Sequence, residues 1–378
     1  MTHRSSVTPA RWTALGLLCL AASALACSHS ESFANPETGE EPFDPTPPVR
    51  LTLNPAQDGS PSWLADGSAI LYSAQQLDRV DVDVCLAELP ATGGQQRRLL
   101  CDIPGDGEST DAAQSSAPSA DGRVALLSAG NGNIGGTSPV FLDLALLPTL
   151  DALNAQRVRA LPFAPAGGTP QDYAGHLRWL TADALVYVGQ HFLTKQDCPP
   201  CPRDTVIAST EVTTLTVDGA TAAAVPGTEG ATGVAPILDG SAILYTLPND
   251  TRIYRRVLGS GEVTVVHDFG AAGIARDVHA AGNRVAAVVG GRVAFSVHPS
   301  LGPVQWDSGG VLHVFELEAE GSQSLDTAER LYRRPALSYD GSRIVAEGYP
   351  LIITPLPGGG VDTTVSKSGD IYLFGGER

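Results

Sequence analysis

The hydrophobic and polar positions of this chain repeat one short pattern, in which an apolar segment, a tight polar turn and a second apolar segment follow one another. Residues 58–73, DGSPSWLADGSAILYS, show it most fully, with an Asp-Gly turn between two segments rich in β-forming residues. Such an arrangement predicts a β-hairpin. The other full copies lie at 116–127, 234–246 and 334–346, and two weaker copies without the Asp-Gly pair lie at 176–188 and 277–289.

The spacing of these copies predicts the fold class. They recur roughly every 55 residues, which leaves room for two more strands after each hairpin, and such a period is typical of a β-propeller. We therefore predict an all-β fold, a six-bladed β-propeller of four-stranded blades over residues 49–378. Residues 49–54 alternate without a hairpin partner, and the last repeat lacks an outermost strand. We expect these two ends to pair, which closes the ring and covers a sheet edge.

The repeats resemble those of the TolB-type propeller family. The resemblance covers roughly residues 49–378 and rests on the Asp-Gly turns, on the prolines Pro61, Pro118, Pro236 and Pro335, and on the aromatic residues Trp63 and Trp179. It implies the propeller fold and no particular activity, because one fold supports many functions. The chain has no room for the α/β domain that precedes the propeller in TolB, so the resemblance does not carry over the role of TolB.

The first 26 residues predict a bacterial lipoprotein signal. Residues 1–11 carry arginine and no acid, and residues 12–26 form an uncharged apolar run that is too short to span a bilayer. The sequence Ala24-Leu25-Ala26-Cys27 resembles a lipobox, which would make Cys27 the lipidated first residue of the mature chain. Ordinary cleavage after Ala26 is the alternative. We expect anchoring to the outer membrane, on its periplasmic or its surface face.

Residues 27–48 and the overall charge limit the possible partners. This segment is acidic and proline-rich with few apolar residues, so it is predicted to be a solvated tether. The whole chain has 41 acidic and 24 basic residues and a formal charge of −17, which argues against nucleic acid and against docking on anionic headgroups. We expect a monomer without cofactor or metal, whose partner is an envelope protein or a glycan.

Four cysteines are predicted to form disulfides, because an exported protein reaches an oxidising compartment. Cys85 and Cys101 lie symmetrically about the turn at 91–95, so a regular hairpin would place them opposite each other. Cys198-Pro-Pro-Cys201 has redox spacing, but a strand-like segment follows it instead of the helix that lowers a thiol pKa. A disulfide is the main interpretation there, and a redox pair and a metal site are the alternatives.

Charged and imidazole side chains on the first strands of three repeats form the candidate channel pocket, because the first strand of a blade lines the central channel. They are His176, Arg178, Asp277, His279 and Arg334. Each one alone is interpreted as a satisfied polar group. No G-x-S-x-G or H-E-x-x-H motif occurs, so no catalytic residue is assigned. A polysaccharide lyase or hydrolase at the channel mouth is the alternative function, favoured if these side chains converge.

Three long insertions are predicted to form the partner surface of a non-catalytic binding scaffold. They lie at 190–204, 290–310 and 349–369, and all connect a second to a third strand, which places them on one face. Trp306, between Pro303 and a Gly-Gly pair, is the candidate hot spot. The alternative is that Trp306 packs onto the neighbouring blade.

Overall fold

The computed structural model describes residues 47–53, 57–75, 84–100, 111–130, 141–147, 156–160, 173–195, 204–217, 221–290, 293–298, 302–307, 309–325, 330–357, 359–366 and 368–375. Cys27, Cys101, Cys198 and Cys201 lie outside them. Residues 44–378 form one compact unit. In the described ranges, no helix has the length and apolar character needed to cross a membrane.

The described part of the chain folds almost entirely into β-strands. The first nine are β1 (Val49–Arg50), β2 (Asp58–Trp63), β3 (Ala69–Gln75), β4 (Val84–Pro90), β5 (Arg97–Leu100), β6 (Asp111–Pro118), β7 (Val124–Gly130), β8 (Phe141–Leu147) and β9 (Gln156–Ala160). The next eight are β10 (Tyr173–Thr181), β11 (Ala184–Lys195), β12 (Asp204–Thr216), β13 (Ala222–Ala224), β14 (Gly233–Ile237), β15 (Ala242–Thr246), β16 (Arg252–Val257) and β17 (Val263–Asp268).

The remaining strands are β18 (Ala275–Ala281), β19 (Arg284–Val289), β20 (Val293–His298), β21 (Gly302–Asp307), β22 (Val311–Glu316), β23 (Gln323–Leu325), β24 (Arg330–Leu337), β25 (Ile344–Leu356), β26 (Gly360–Val365) and β27 (Asp370–Phe374). Two short 3-10 helices, Leu238–Gly240 and Gly270–Ala272, complete the described elements. The chain is thus an all-β propeller with four-stranded blades, as the repeat predicts.

Hydrogen bonding divides these strands into five large sheets, where the repeat predicts six blades. β10–β13 and β14–β17 each form a four-stranded sheet, β18, β19, β22 and β23 form another, and β24, β25, β27 and β1 form the last together with β26. β2–β9 form one eight-stranded sheet. Its two halves are joined by a single parallel pair, Val84 with Ala112. This one bridge is the physical reason that the sheet count differs from the repeat count.

The two ends of the described chain meet in the last sheet. β1 pairs antiparallel with β27, with Val49 opposite Leu373 and Arg50 opposite Tyr372. β1 has only two residues, although the alternating pattern predicted a strand over residues 49–54. Leu51 continues the contact, because its backbone N–H donates to the carbonyl of Ile371.

The three predicted loop insertions are instead β-hairpins in the described residues. β11 and β12 remain paired beyond their sheet as far as Lys195 and Asp204, β20 pairs with β21, and the outer half of β25 pairs with β26. Residues 349–369 are rich in β-branched residues, which favour strands over irregular loops, whereas residues 190–204 contain only one, Thr194. The prediction of a loop around Trp306 is therefore wrong, since Trp306 lies in β21 opposite Ala294. In addition, β21 lies against β12.

Apolar side chains fill the spaces between neighbouring sheets. The buried clusters combine Tyr72 with Val345, Leu127 with Tyr187, Val186 with Ile243, and Leu244 with Val285. Three of these pairs join residues of consecutive repeats, and Tyr72 with Val345 joins the first repeat to the last. The core is therefore divided among the interfaces between repeats, as in a propeller.

Two of these interfaces carry the same contact, which we call the tryptophan–arginine latch. The indole N–H of Trp63 donates to the Ala336 carbonyl at 3.0 Å, and the Arg343 guanidinium lies 4.4 Å from the centre of that indole. Arg343 also donates to the Gly67 carbonyl at 3.0 Å. The second latch uses Trp179, Ala117, Arg123 and the Ala182 carbonyl in the same roles.

Candidate functional site

The innermost strands of several repeats carry the same β-bulge. In β2, β10, β18 and β24, two consecutive residues face a single residue of the next strand. In three of these strands the first bulged residue has a left-handed backbone, with φ of 50° at Ser60, 56° at His176 and 46° at Arg334. Non-glycine residues rarely adopt this conformation. Bulges redirect side chains near functional sites, and here they bring side chains from distant repeats together.

Asp277 is one centre of this cluster. Its Oδ1 lies 3.4 Å from Nε2 of His176, and its Oδ2 accepts a hydrogen bond from the Arg334 backbone N–H at 2.7 Å. Asp277 is only 7% exposed. Three predicted candidates, from β10, β18 and β24, therefore do converge.

Glu347 of β25 is the second centre, and the sequence analysis did not predict it. It is fully buried and accepts hydrogen bonds from Arg334 Nη1 at 3.0 Å, from the Tyr349 hydroxyl at 2.8 Å and from the Ser60 backbone N–H. Arg333 lies 3.1 Å from its other oxygen. Burial raises the pKa of Glu347, but Arg334 and Arg333 outweigh it and lower the pKa to about 2. Glu347 is thus a fixed negative charge.

His176 is neutral near pH 7. Burial lowers its pKa to about 4, Arg178 and Arg334 act in the same direction, and Asp277 opposes them. A neutral imidazole offers one donor and one acceptor nitrogen. His176 therefore contributes hydrogen-bonding capacity and no charge.

Arg178 lies beside these residues without a carboxylate partner of its own. Its Nη1 donates to the Leu177 carbonyl at 2.8 Å, and its buried Nε has no hydrogen-bond partner. No ion pair among the described residues involves Arg178. Burial lowers its pKa to about 10, so the group remains charged near pH 7.

His279 serves a different purpose from the other candidates. Its Nδ1 accepts a hydrogen bond from the Leu337 backbone N–H at 3.2 Å, which ties β18 to β24. Burial, and next the positive charge of Arg178, hold its pKa well below the usual range. His279 is thus a satisfied group between two sheets, while remaining within electrostatic range of Arg178.

Tyr339 extends across the turn end of the site. It precedes the Asp-Gly turn after β24, and its hydroxyl donates to the Pro118 carbonyl of β6 at 2.7 Å. This contact crosses from the last sheet to the second half of the eight-stranded sheet. The long hairpins leave the opposite end of the strands.

Sequence reasoning found part of this cluster and missed its carboxylate centre. It missed Ser60, Arg333, Glu347 and Tyr349, although a lone acid inside the apolar segment IVAEGYP was an available signal. Among the described residues, no group of three or more His, Cys, Asp or Glu side chains is placed to hold a metal ion.

The cysteine predictions fall mostly outside the described residues. Cys85 is fully buried in β4, and its neighbour Leu86 pairs with Leu100 of β5. Both disulfides and the lipidation of Cys27 stay predictions.

Comparison with known proteins supports the fold. No protein-family model matches the sequence, and no curated protein matches it. The chain is similar to a gluconolactonase from Xanthomonas campestris, with a TM-score of 0.54, 12% identity and coverage of 86% of this chain and 88% of that one. A luciferin-regenerating enzyme gives a TM-score of 0.50 and 10% identity over 87% and 95% of the two chains. TolB from Acinetobacter baumannii gives 0.44 and 13% over 85% and 64%. At such identities the similarity concerns the fold alone.

Proposed function

We propose that this chain is a propeller lipoprotein of the cell envelope that binds a ligand in its central channel without transforming it. The observation that carries the proposal is the convergence of charged and polar groups from β10, β18, β24 and β25 on Asp277 and Glu347. Buried charges are costly and are kept together here by bulges with left-handed backbone. Such an arrangement is typical of a functional site.

The bonding state of the carboxylates supports binding over catalysis. Glu347 accepts from four partners and has a pKa of about 2, so it is a poor proton donor or acceptor near pH 7. Asp277 is held on both oxygens by His176 and Arg334. These groups are suited to fixing the position of arginines.

We also propose that the propeller has six blades. The two halves of the eight-stranded sheet share only one bridging pair, and Leu71 and Leu86 of the first half lie in one buried cluster with Leu126 of the second. Elsewhere in the chain such clusters join separate sheets. We therefore treat β2–β5 and β6–β9 as two blades.

Ring closure is supported by three contacts between the last sheet and β2. They are the latch of Arg343 on Trp63, the hydrogen bond from Ser60 to Glu347, and the hydrogen bond from Arg334 to the Ser60 hydroxyl at 2.8 Å. Because the same latch joins β6 to β10, the interface at the chain ends resembles an internal one.

The channel proposal is tested with the mature lipoprotein in detergent. A panel of envelope glycans and small metabolites is screened by thermal shift, and ligands found with the wild type are titrated into Asp277→Asn and into the control Asp250→Asn, whose carboxylate pairs with Arg252 in the turn between β15 and β16. We expect binding to be lost only in Asp277→Asn. Ligands that bind both variants as they bind the wild type would place the site elsewhere.

Membrane attachment through Cys27 is a separate proposal. It rests on the lipobox-like sequence before Cys27 and on the acidic tether that follows it. Metabolic labelling with palmitate should label the wild type and leave Cys27→Ser unlabelled. Equal labelling of both would place the lipid on another residue.

The hairpin side is proposed as a partner surface, with Trp306 of β21 as its hot spot. Trp306→Ala should abolish capture of an envelope partner and leave the melting temperature within a degree or two. A lower melting temperature would assign Trp306 to packing between hairpins, and unaltered capture by a folded variant would move the surface elsewhere.

A lyase or hydrolase at the channel mouth is the second candidate. The observation that favours it is the contact of neutral His176 with Asp277 at 3.4 Å, since a carboxylate can orient an imidazole that acts as a base. Turnover of any glycan or lactone in the panel, lost in His176→Gln with binding retained, would favour the enzyme.

A further inference from the structure

We propose that Arg178 recognises the carboxylate group of a small monoanionic ligand in the channel. This inference rests on the proposed function, because it takes the channel as the binding site and assigns the chemistry of its ligand. The observation that carries it is the buried Nε of Arg178, which has no hydrogen-bond partner.

Arg178 has more N–H donors than the described residues satisfy. Arginine has five such donors, the attraction of Asp277 only partly offsets the effect of burial on Arg178, and no carboxylate oxygen of the described residues lies within ion-pair distance of it. In the described part of the chain, Arg178 meets only the Leu177 carbonyl, whereas Arg333 and Arg334 both contact the Glu347 carboxylate. A planar fork of N–H groups of this kind binds a carboxylate with two parallel hydrogen bonds.

The charges of the cluster favour a ligand with one negative charge. Three arginines, Arg178, Arg333 and Arg334, accompany two carboxylates, Asp277 and Glu347. Since His176 and His279 are neutral near pH 7, one positive charge is left over. A monoanion compensates it, whereas a dianion would reverse the imbalance.

The groups around Arg178 favour a polar ligand. Arg178 lies within electrostatic range of Tyr339, whose hydroxyl donates to the Pro118 carbonyl at the turn end. His176 and the Ser60 hydroxyl belong to the same cluster, and they suit hydroxyl groups of a ligand.

Arg255 provides a matched control. Its Nε is likewise buried without a hydrogen-bond partner, but Arg255 lies on β16, the third strand of its sheet, and so outside the channel. If an unmatched arginine were only a packing feature, substitutions at Arg178 and Arg255 would have the same effect on ligand binding.

The experiment compares two probes that differ in one group. D-glucuronate carries a carboxylate where D-glucose carries a hydroxymethyl group, and both are titrated by calorimetry into the mature lipoprotein in detergent, with lactate as a smaller carboxylate and inorganic phosphate as another anion. We expect a carboxylate probe to bind at least tenfold more tightly than glucose. Arg178→Gln and Arg178→Lys should both lose this preference, because an ammonium group lacks the fork, and Arg255→Gln should retain it.

The outcomes separate this inference from the proposed function. If Asp277→Asn abolishes binding of a neutral ligand while no carboxylate probe depends on Arg178, the channel site stands and the carboxylate assignment is overturned. Phosphate bound in preference to the carboxylates overturns it as well. A melting temperature of Arg178→Gln equal to or above that of the wild type supports the inference, since an unmatched charge has been removed. A large decrease would show that Arg178 is structural.

Discussion

Replacing Arg343 by methionine tests whether the propeller is closed between its last and first sheets. Arg343 follows the Asp-Gly turn after β24 and reaches over Trp63 of β2. Methionine keeps an unbranched apolar stem over the indole and removes the guanidinium. The substitution therefore removes one arm of the latch and leaves the packing of Trp63 in place.

The expected loss follows from two contacts. A cation 4.4 Å from the centre of a buried indole contributes about 1 kcal/mol, between the values for exposed and desolvated sites. The hydrogen bond to the Gly67 carbonyl at 3.0 Å contributes about another 1 kcal/mol, reduced from the value for charged donors because Arg343 is partly exposed. Arg343→Met should thus lower the free energy of unfolding by about 2 kcal/mol.

Urea unfolding followed by tryptophan fluorescence is the assay. Arg123→Met removes the equivalent arm at the internal latch on Trp179, together with the partly exposed ion pair of Arg123 with Asp121, and should cost a similar amount or slightly more. Arg252→Met is the second control, since Arg252 is exposed and lies 5.3 Å from the ring of Tyr254 on the same strand, β16. It should cost less than about 0.5 kcal/mol.

An unchanged unfolding midpoint for Arg343→Met, together with a lowered midpoint for Arg123→Met, would refute the closed ring. Equal losses of unfolding free energy at the two latches would mean that the interface at the chain ends stabilises the fold as much as an internal interface does. A loss with Arg252→Met as large as at the latches would show that the assay does not separate interface contacts from surface contacts.

Three further outcomes are expected. Glu347→Gln should destabilise the fold by about 3–5 kcal/mol at pH 7, because it leaves buried arginines without their carboxylate. Since the pKa of Glu347 falls from 4.5 to about 2 on folding, the difference from the wild type should shrink as pH falls from 4.5 to 2, and a constant difference would contradict this. Burial, then His267, lowers the pKa of His313 from 6.5 to about 4, so the free energy of unfolding should fall as pH decreases across that range. The fall should be less steep in His313→Asn, and identical slopes of unfolding free energy against pH in the two proteins would contradict this. Peptide mapping without reductant should find Cys85 joined to Cys101, and a link from Cys85 to Cys198 would reject the hairpin register.

The sequence predicted the strands that the repeat determines. Residues 58–73 were predicted to form a β-hairpin, and they form β2 and most of β3, which pair antiparallel. Alternating apolar residues and Asp-Gly turns act locally, so they can be recognised without knowledge of the partners. The insertion at 349–369 was misassigned because its prolines and glycines indicated a loop, while its β-branched residues support a hairpin. Residues 190–204 contain a single β-branched residue, so no comparable local signal marks that hairpin.

Residues of the site could be predicted only where they lie on the first strand of a repeat. His176, Asp277 and Arg334 were found because they stand on first strands. Glu347 stands on a second strand and enters the cluster through a contact with Ser60, nearly 290 residues away along the chain. Gly59 makes this possible, since a Cβ there would lie 2.9 Å from the Glu347 carboxylate. Contacts of this range depend on ring geometry, which no local pattern contains.

The left-handed backbone at Ser60, His176 and Arg334 has a consequence for how this protein would respond to selection. Each non-glycine residue in that conformation costs on the order of 1–3 kcal/mol. Glycine at any of the three positions would relax the backbone and at the same time delete a side chain of the cluster. Scaffold and site thus make opposite demands on the same positions. A laboratory population selected for heat resistance alone would be expected to accumulate glycine at these positions. The resulting propeller would be more stable and would lack the side chains of the cluster.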